Sequence, residues 1–196
     1  MRRLRVGVLV SGRGSNLQAL IDAVNDPQYP AQIVVVCANR ACPAIAIAQR
    51  AELPVQLFRL SQFADRTARD LAMAQLLRRN GVDLVVCAGY DTILTPDFID
   101  AFSGRIINIH PSLLPEFAGT MDAVSMALAA GVAESGCTVH VVTDEVDGGP
   151  ILAQRRVAVR SSDTIETLRA RIQREEHRLL PEVVKRMASE ALPLPV

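Results

Sequence analysis

The chain has 196 residues, enough for one domain with a sizeable hydrophobic core. Hydrophobic residues make up 49% and charged residues 21%, which excludes an intrinsically disordered chain. The 21 basic and 21 acidic side chains balance, so the composition argues against nucleic acid as a partner. We expect a single domain over residues 1–190 and an extended tail over residues 191–196.

The N-terminal stretch predicts neither a leader nor a membrane segment. The apolar run after the first arginines stops at Ser11, too early for a secretory signal, and no run reaches transmembrane length. The four cysteines form no Cys-x-x-Cys pair, and three lie in apolar, strand-like runs typical of reduced thiols. We therefore expect a cytoplasmic protein with no membrane partner, and we find no signal for a particular oligomeric state.

Short runs of Val, Ile and Leu alternate with helical patterns along most of the chain. Nearly continuous aliphatic runs predict parallel strands covered on both faces at residues 4–10, 33–38, 55–58, 84–88 and 106–109. The helices predicted between them cover residues 15–24, 43–51, 66–79 and 96–102. This alternation predicts an α/β fold with a doubly wound, mostly parallel sheet.

The pattern changes after Gly131. Residues 137–143 and 151–159 are predicted to form a C-terminal antiparallel hairpin, because a turn-rich link joins them. A long final helix is predicted to begin at Asp163, with Glu166 three residues on as a capping box.

The segment Ser11-Gly12-Arg13-Gly14-Ser15-Asn16 follows the first predicted strand and opens the first helix. Glycines let the backbone approach an anion, and a helix N-terminus offers free N–H groups, so this segment favours a single phosphate. It lacks the third glycine of a dinucleotide fingerprint and the Gly-Lys-Ser/Thr of a P-loop. The alternative is a tight strand-to-helix turn with no ligand.

Two polar side chains lie at the end of the fifth predicted strand. Alternation along the strand places Asn108 and His110 on one face, at the carboxyl edge where α/β sheets bind ligands. A buried histidine is often structural. The pairing with an amide, followed by Pro111 and Pro115, favours a functional site instead.

Two carboxylates are candidates to complete this site. Asp147 precedes Gly148-Gly149-Pro150, where it either forms an ordinary Asx turn or lies beside His110 and raises the pKa of that imidazole. Glu176 falls on the apolar stripe of the final helix. A carboxylate there is either paired with an arginine or bound to a ligand.

A metal site is disfavoured by the spacing of the possible ligands. His110, His140 and His177 are the three histidines, and the sequence has neither His-Glu-x-x-His nor paired-cysteine spacing. His140 alternates with Thr138 and Val142 along a predicted strand, so we interpret it as structural.

Taken together, these motifs resemble the glycinamide ribonucleotide formyltransferase family of folate-dependent enzymes over about residues 6–181. The likeness is carried by residues 10–17, 107–115, 136–140 and 147–150. The resemblance implies the formyltransferase fold and two small-molecule substrates. It also implies transfer of a formyl group from 10-formyltetrahydrofolate to the amine of glycinamide ribonucleotide in purine biosynthesis. That transfer is a direct attack, with no covalent enzyme intermediate and no metal.

The resemblance further implies roles for individual residues. The residues that match the catalytic set are Asn108, His110 and Asp147. Those that match substrate-binding positions are Gly14, Ser15 and Asn16 at the phosphate and Glu176 at the ribonucleotide. Those that match cosubstrate-binding positions are Arg66, Asp91, Thr92, Ile93, Leu94 and Asn108.

Two segments depart from the family pattern. Where the family usually reads Met-Arg-Ile-Leu, this chain has Asp91-Thr92-Ile93-Leu94, so a hydroxyl next to a carboxylate replaces a cation beside the folate. Residues 120–124 contain no histidine and form a segment one residue longer, which predicts a change on the acceptor side. Two alternatives therefore stay open: a formyltransferase for another phosphorylated amine or amino sugar, and a non-catalytic phosphoribosyl- or folate-binding homologue.

Overall fold

A computed structural model describes residues 2–120 and 122–189 of the chain. Its centre is a seven-stranded sheet with the strand order β3-β2-β1-β4-β5-β6-β7. The strands are β1 Leu4–Val10, β2 Ala31–Ala38, β3 Val55–Leu57, β4 Leu84–Cys87, β5 Ile106–His110, β6 Glu134–Val141 and β7 Ile151–Ala158. The first five strands pair in parallel, and β6 and β7 add antiparallel to β5. The predicted mostly parallel sheet and its C-terminal antiparallel hairpin are confirmed.

In the part of the chain that the structure describes, six α-helices cover the two faces of the sheet. They are α1 Ser15–Val24, α2 Pro43–Arg50, α3 Arg66–Arg79, α4 Pro96–Ala101, α5 Ala123–Ala129 and α6 Ile165–Ser189. A short 3-10 helix spans Leu60–Gln62. None of the helices in these described residues is long and apolar enough to cross a bilayer. The predicted tail at residues 191–196 lies outside the described residues, so the single-domain boundary at residue 190 stays a prediction.

Strand β1 shows why most of its residues are aliphatic. Val8 and Val10 point into the apolar cluster beneath α1, α2, α5 and α6, whereas Leu9 points into the cluster beneath α3 and α4. All three side chains are fully buried. A strand covered on both faces has no solvent-facing row for polar residues, and the continuous hydrophobic run follows from this.

The start of α6 corrects one prediction. The helix begins at Ile165, not Asp163, and the reciprocal cap joins Thr164 to Thr167 instead of Asp163 to Glu166. Each threonine hydroxyl accepts a hydrogen bond from the backbone N–H of the other residue, which is the geometry of a capping box with Thr in place of Glu. The Asp163 carboxylate forms a bidentate pair with Arg171 instead.

The strand order reverses on either side of β1, because β2 and β3 lie on one side and β4 and β5 on the other. In open α/β sheets, ligands bind at this switch point, outside the carboxyl ends of the strands. The loops after β1, β4 and β5 all emerge there. The topology therefore brings together motifs that are about 90 residues apart in the sequence.

Candidate active site

A cavity of about 510 Å³ opens at the carboxyl edge of the sheet. It is bounded by the loops after β1, β4 and β5, by the turn between β6 and β7, and by α6. Nearly all the site residues expected from the sequence line it: Gly14, Ser15, Asn16, Asp91, Thr92, Ile93, Leu94, Asn108, His110, Asp147 and Glu176. Arg66 is the exception, and it contacts the wall from outside by donating a hydrogen bond to the Ile93 carbonyl.

The turn between β1 and α1 forms one end of the cavity. Gly14 has φ of 82°, in the left-handed region, and a Cβ built on it would lie 2.8 Å from both Cα and Cβ of Ala44. Glycine is therefore required by both conformation and space. Because no side chain caps α1, its first backbone N–H groups remain available beside the cavity.

Glu176 reaches this turn from α6. Its carboxylate accepts a hydrogen bond from Asn16 Nδ2 at 3.0 Å, and only 6% of the residue is exposed. Burial raises the pKa of Glu176, and the Asn16 amide only partly opposes the shift. No arginine pairs with Glu176 within residues 2–120 and 122–189, so the ion-pair alternative is wrong.

Asn108 and His140 face each other across the antiparallel pair β5–β6, where they are register partners. Asn108 Nδ2 lies 3.2 Å from His140 Nε2, and His140 Nδ1 lies 3.0 Å from the Val141 carbonyl. A carbonyl oxygen only accepts, so in the neutral ring Nδ1 carries the hydrogen and Nε2 accepts from the Asn108 amide. His140, interpreted as structural from its spacing, thus orients the Asn108 side chain.

His110 and Asp147 meet in the middle of the cavity. His110 Nδ1 lies 3.4 Å from Asp147 Oδ2, and His140 Nε2 lies 3.4 Å from Asp147 Oδ1. The Asp147 carboxylate also accepts a hydrogen bond from the Gly119 N–H at 2.9 Å. This hydrogen bond joins Asp147, in the turn between β6 and β7, to the loop after β5. In an Asx turn the aspartate would instead accept from a backbone N–H two residues further along the chain. The Asx-turn alternative is wrong.

Burial sets the direction of the pKa shift of His110. It lowers the pKa of His110 below the ordinary value, and the Asp147 carboxylate and the Phe117 carbonyl only partly offset the effect. Desolvation is the larger cause and sets the net direction, although Asp147 does raise the pKa of His110 as the sequence predicts. For Asp147, burial disfavours the charged form, but the hydrogen bond from the Gly119 N–H and the nearby His110 lower its pKa. The lowered pKa of His110 favours a neutral imidazole beside the Asp147 carboxylate near pH 7.

The segment Asp91–Leu94 is held by a network that sequence reasoning missed. Asn39 Nδ2 donates to Asp91 Oδ1 at 2.9 Å and to Thr92 Oγ1 at 2.7 Å, and the Arg40 guanidinium pairs with the Asp91 carboxylate. These contacts lower the pKa of Asp91, although burial opposes that shift. The carboxylate that replaces a family residue is thus paired with a cation from the loop after β2.

The remaining histidine lies apart from this cluster. His177 is on α6, and burial lowers its pKa. Among the described residues, no group of three or more His, Cys, Asp or Glu side chains is arranged to hold a metal ion.

Comparison with known proteins matches residues 4–184 to the formyl transferase family model. The chain belongs to the formyl transferase family. The chain is 46% identical to the phosphoribosylglycinamide formyltransferase of Mycobacterium tuberculosis, covering 96% of this formyl transferase and 86% of that protein. The crystal structure of glycinamide ribonucleotide transformylase 1 from Symbiobacterium toebii superposes with a TM-score of 0.95 at 43% identity, covering 98% and 91% of the two chains. The expected fold and family are confirmed.

This formyl transferase also matches a much longer protein. It is 41% identical to the trifunctional purine biosynthetic protein adenosine-3 of Bos taurus over 98% of its own length. That match covers 19% of the bovine protein, so the chain spans about a fifth of that relative.

Proposed function

We propose that the chain transfers a formyl group from 10-formyltetrahydrofolate to the amine of glycinamide ribonucleotide, a step of purine biosynthesis. The observation that carries this proposal is the group of Asn108, His110, Asp147 and His140, in which both histidines are buried and which shares one cavity with the turn before α1. Its relatives from Mycobacterium tuberculosis and Symbiobacterium toebii bear the corresponding names. We place the enzyme in the cytoplasm, because its four cysteines are all free thiols.

The proposed reaction is a direct acyl transfer. The substrate nitrogen forms a bond to the formyl carbon, the bond from that carbon to the folate nitrogen breaks, and one proton moves from the amine to the folate. Negative charge grows on the formyl oxygen as the tetrahedral intermediate forms. No enzyme nucleophile and no metal take part in this scheme.

Asn108 is the proposed donor to the developing oxyanion. One of its amide hydrogens is directed at His140 Nε2, which fixes the plane of the amide and leaves the second hydrogen for the formyl oxygen. A donor that is already oriented need not reorganise as charge develops. In this proposal, His140 is a positioning residue.

His110 is the proposed proton acceptor. Burial lowers its pKa, which favours a neutral ring near pH 7. Nε2 lies 3.1 Å from the Phe117 carbonyl and so carries the hydrogen, which leaves Nδ1, the atom that faces Asp147, to take the proton that the attacking amine must lose. Asp147 then stabilises the imidazolium that forms and holds the ring in place.

The turn before α1 is the proposed site of the substrate phosphate. Gly14, Ser15 and Asn16 present backbone N–H groups at the start of the helix, and Glu176 is placed to accept from the sugar hydroxyls beyond them. The cosubstrate is assigned to the wall of the cavity formed by Asp91, Thr92, Ile93 and Leu94, with Asn108 as a further contact. Arg66 supports that wall through the Ile93 carbonyl.

Gly14→Ala is expected to lower the melting temperature and raise the KM for the phosphorylated substrate. The new Cβ clashes with Ala44, and a left-handed φ costs roughly 1–2 kcal/mol for a residue with a side chain. The matched control is Gly131→Ala, which has φ of 64° and no atom within 4 Å of the new Cβ. Thermal unfolding and steady-state kinetics should show a KM change only in Gly14→Ala. If the KM of Gly14→Ala equals that of wild type, the assignment of the substrate phosphate to this turn is wrong.

Thr92→Arg is expected to lower the KM for 10-formyltetrahydrofolate by a few-fold and to leave the KM for glycinamide ribonucleotide unchanged. The substitution adds a cation to the wall assigned to the cosubstrate. The folate cosubstrate carries an anionic glutamate, which the new cation would attract. Thr92→Val is the control, because it removes the hydrogen bond from Asn39 without adding charge. If both variants behave alike, charge at this position has no role in cosubstrate binding.

A second candidate is formyl transfer to a different phosphorylated amine. The observation that favours it is the loop after β5, where Gly119 and Thr120 line the cavity at the start of the segment that departs from the family. A non-catalytic binding protein would instead bind folate or the phosphoribosyl group without turnover.

One assay separates these functions. The purified chain is mixed with 10-formyltetrahydrofolate and an amine, and the absorbance change that accompanies release of tetrahydrofolate is followed. Turnover with glycinamide ribonucleotide supports the proposal, whereas turnover only with another phosphorylated amine supports the second candidate. Binding of either ligand without turnover would overturn both catalytic assignments.

A further inference from the structure

The cavity lining is strongly unbalanced in charge. Four carboxylates line it: Asp91, Glu145, Asp147 and Glu176. Among the described residues, the one arginine or lysine in the lining is Arg13. A substrate phosphate carries close to two negative charges near pH 7, so it enters a cavity where a single basic side chain can offset the repulsion.

Arg13 is also held by nothing else. It is exposed between Gly12 and Gly14, and within residues 2–120 and 122–189 it makes no hydrogen bond or ion pair. A Cβ built on Gly12 would meet no atom within 4 Å, so the loop leaves open space beside the arginine. Arg40 in the neighbouring loop differs, because it is fixed by the Ser11 carbonyl and the Asp91 carboxylate.

A second observation indicates that this turn receives a ligand. Asn16 is only 8% exposed and lines the cavity, yet its Oδ1 has no hydrogen-bond partner among the described residues. A buried acceptor without a partner is costly, and a ligand hydroxyl or N–H would satisfy it. The turn thus presents a free guanidinium and, three residues later in the sequence, a buried acceptor without a partner, which suits a phosphate ester next to a hydroxyl.

We propose that Arg13 binds the phosphate dianion of the acceptor substrate and makes that phosphate a requirement for binding. This inference rests on the proposed function and adds a specificity-determining residue to it. The guanidinium donates to two phosphate oxygens at once, whereas the backbone N–H groups of α1 donate to the remaining one. Charge-assisted hydrogen bonds of this kind imply a loss of about 10- to 100-fold in affinity when the arginine is removed.

The test compares Arg13→Gln with Arg79→Gln. Arg79 is an exposed arginine with no described partner, near the opposite edge of the sheet, so its variant changes the net charge equally. We expect Arg13→Gln to raise the KM for glycinamide ribonucleotide about 10- to 100-fold. Its KM for 10-formyltetrahydrofolate and its melting temperature should match wild type, because Arg13 makes no hydrogen bond or ion pair within residues 2–120 and 122–189. Arg13→Lys should restore part of the loss.

Two further measurements separate this inference from the proposed function. Added salt should lower kcat/KM for the phosphorylated amine in both proteins, and the decrease should be larger for wild type than for Arg13→Gln. Thermal shift with glycinamide ribonucleotide reports binding even without turnover, and there Arg13→Gln should need about 10- to 100-fold more ligand. Lack of transfer by wild type would overturn the proposed function. An unchanged KM and thermal shift in Arg13→Gln would overturn the role of Arg13 alone.

Discussion

Asp147→Asn is expected to reduce kcat by roughly 10³- to 10⁴-fold, the scale seen when a carboxylate that orients a catalytic histidine is replaced by its amide. The substitution keeps the size of the side chain and removes the charge that faces His110 Nδ1 and His140 Nε2 at 3.4 Å. The KM for either substrate should change far less, because Asp147 is proposed to stabilise the positive charge that forms on His110 only after the substrates have bound. The steady-state kinetics of the purified variant check both parts.

The pH dependence of this variant follows from the direction of the His110 shift. Burial lowers the pKa of His110, and the Asp147 carboxylate opposes that effect, so removing the charge lowers the pKa further. The acid limb of the kcat profile should lie below pH 6.5 in wild type and at still lower pH in Asp147→Asn. Asp144→Asn, an exposed change in the same turn, should retain wild-type kcat and profile. An equal loss in both variants would mean that the turn is sensitive to any substitution.

Asn108→Ala is expected to lower kcat by about 10²- to 10³-fold, which is the usual loss of one oxyanion donor. Asn108→Asp is the informative companion, because it keeps the side-chain size and replaces the amide donor with an oxygen. If donation to the oxyanion is the role of Asn108, both variants should lose kcat and largely keep KM. A loss below tenfold in either variant would assign the oxyanion to another group.

Much of the fold follows from local pattern. The β1 and α1 boundaries predicted from the sequence agree with the structure, because a mostly aliphatic run and a glycine-rich turn leave few alternatives there. The α5 helix is absent from the sequence prediction, since its seven residues carry neither a capping side chain nor a proline. The predicted start of α6 is two residues too early, because Asp163 and Thr164 are both good N-cap residues. The reciprocal hydrogen bonds between Thr164 and Thr167 select Thr164, and these are visible only in the structure.

The candidate site shows a sharper division. Asn108 and His110 could be placed together from strand alternation alone, and the β1–α1 turn from its glycines. His140 could be recognised as a neighbour of Asn108 only once the β5–β6 register was known. Arg40 carried no signal, because its contact with Asp91 crosses two loops 51 positions apart. The direction of the His110 pKa shift could not be predicted from the sequence, because it depends on how deeply the fold buries the ring.

The central claim is that His110 and Asp147 act as one catalytic unit, and a double-mutant cycle tests it most directly. The measurement is kcat for wild type, His110→Ala, Asp147→Asn and the double variant under one set of conditions. Asp147 is assigned to act through His110, so the double variant should be little slower than the slower single variant. Losses that multiply would contradict the coupled site and leave Asp147 as a residue that acts independently of His110.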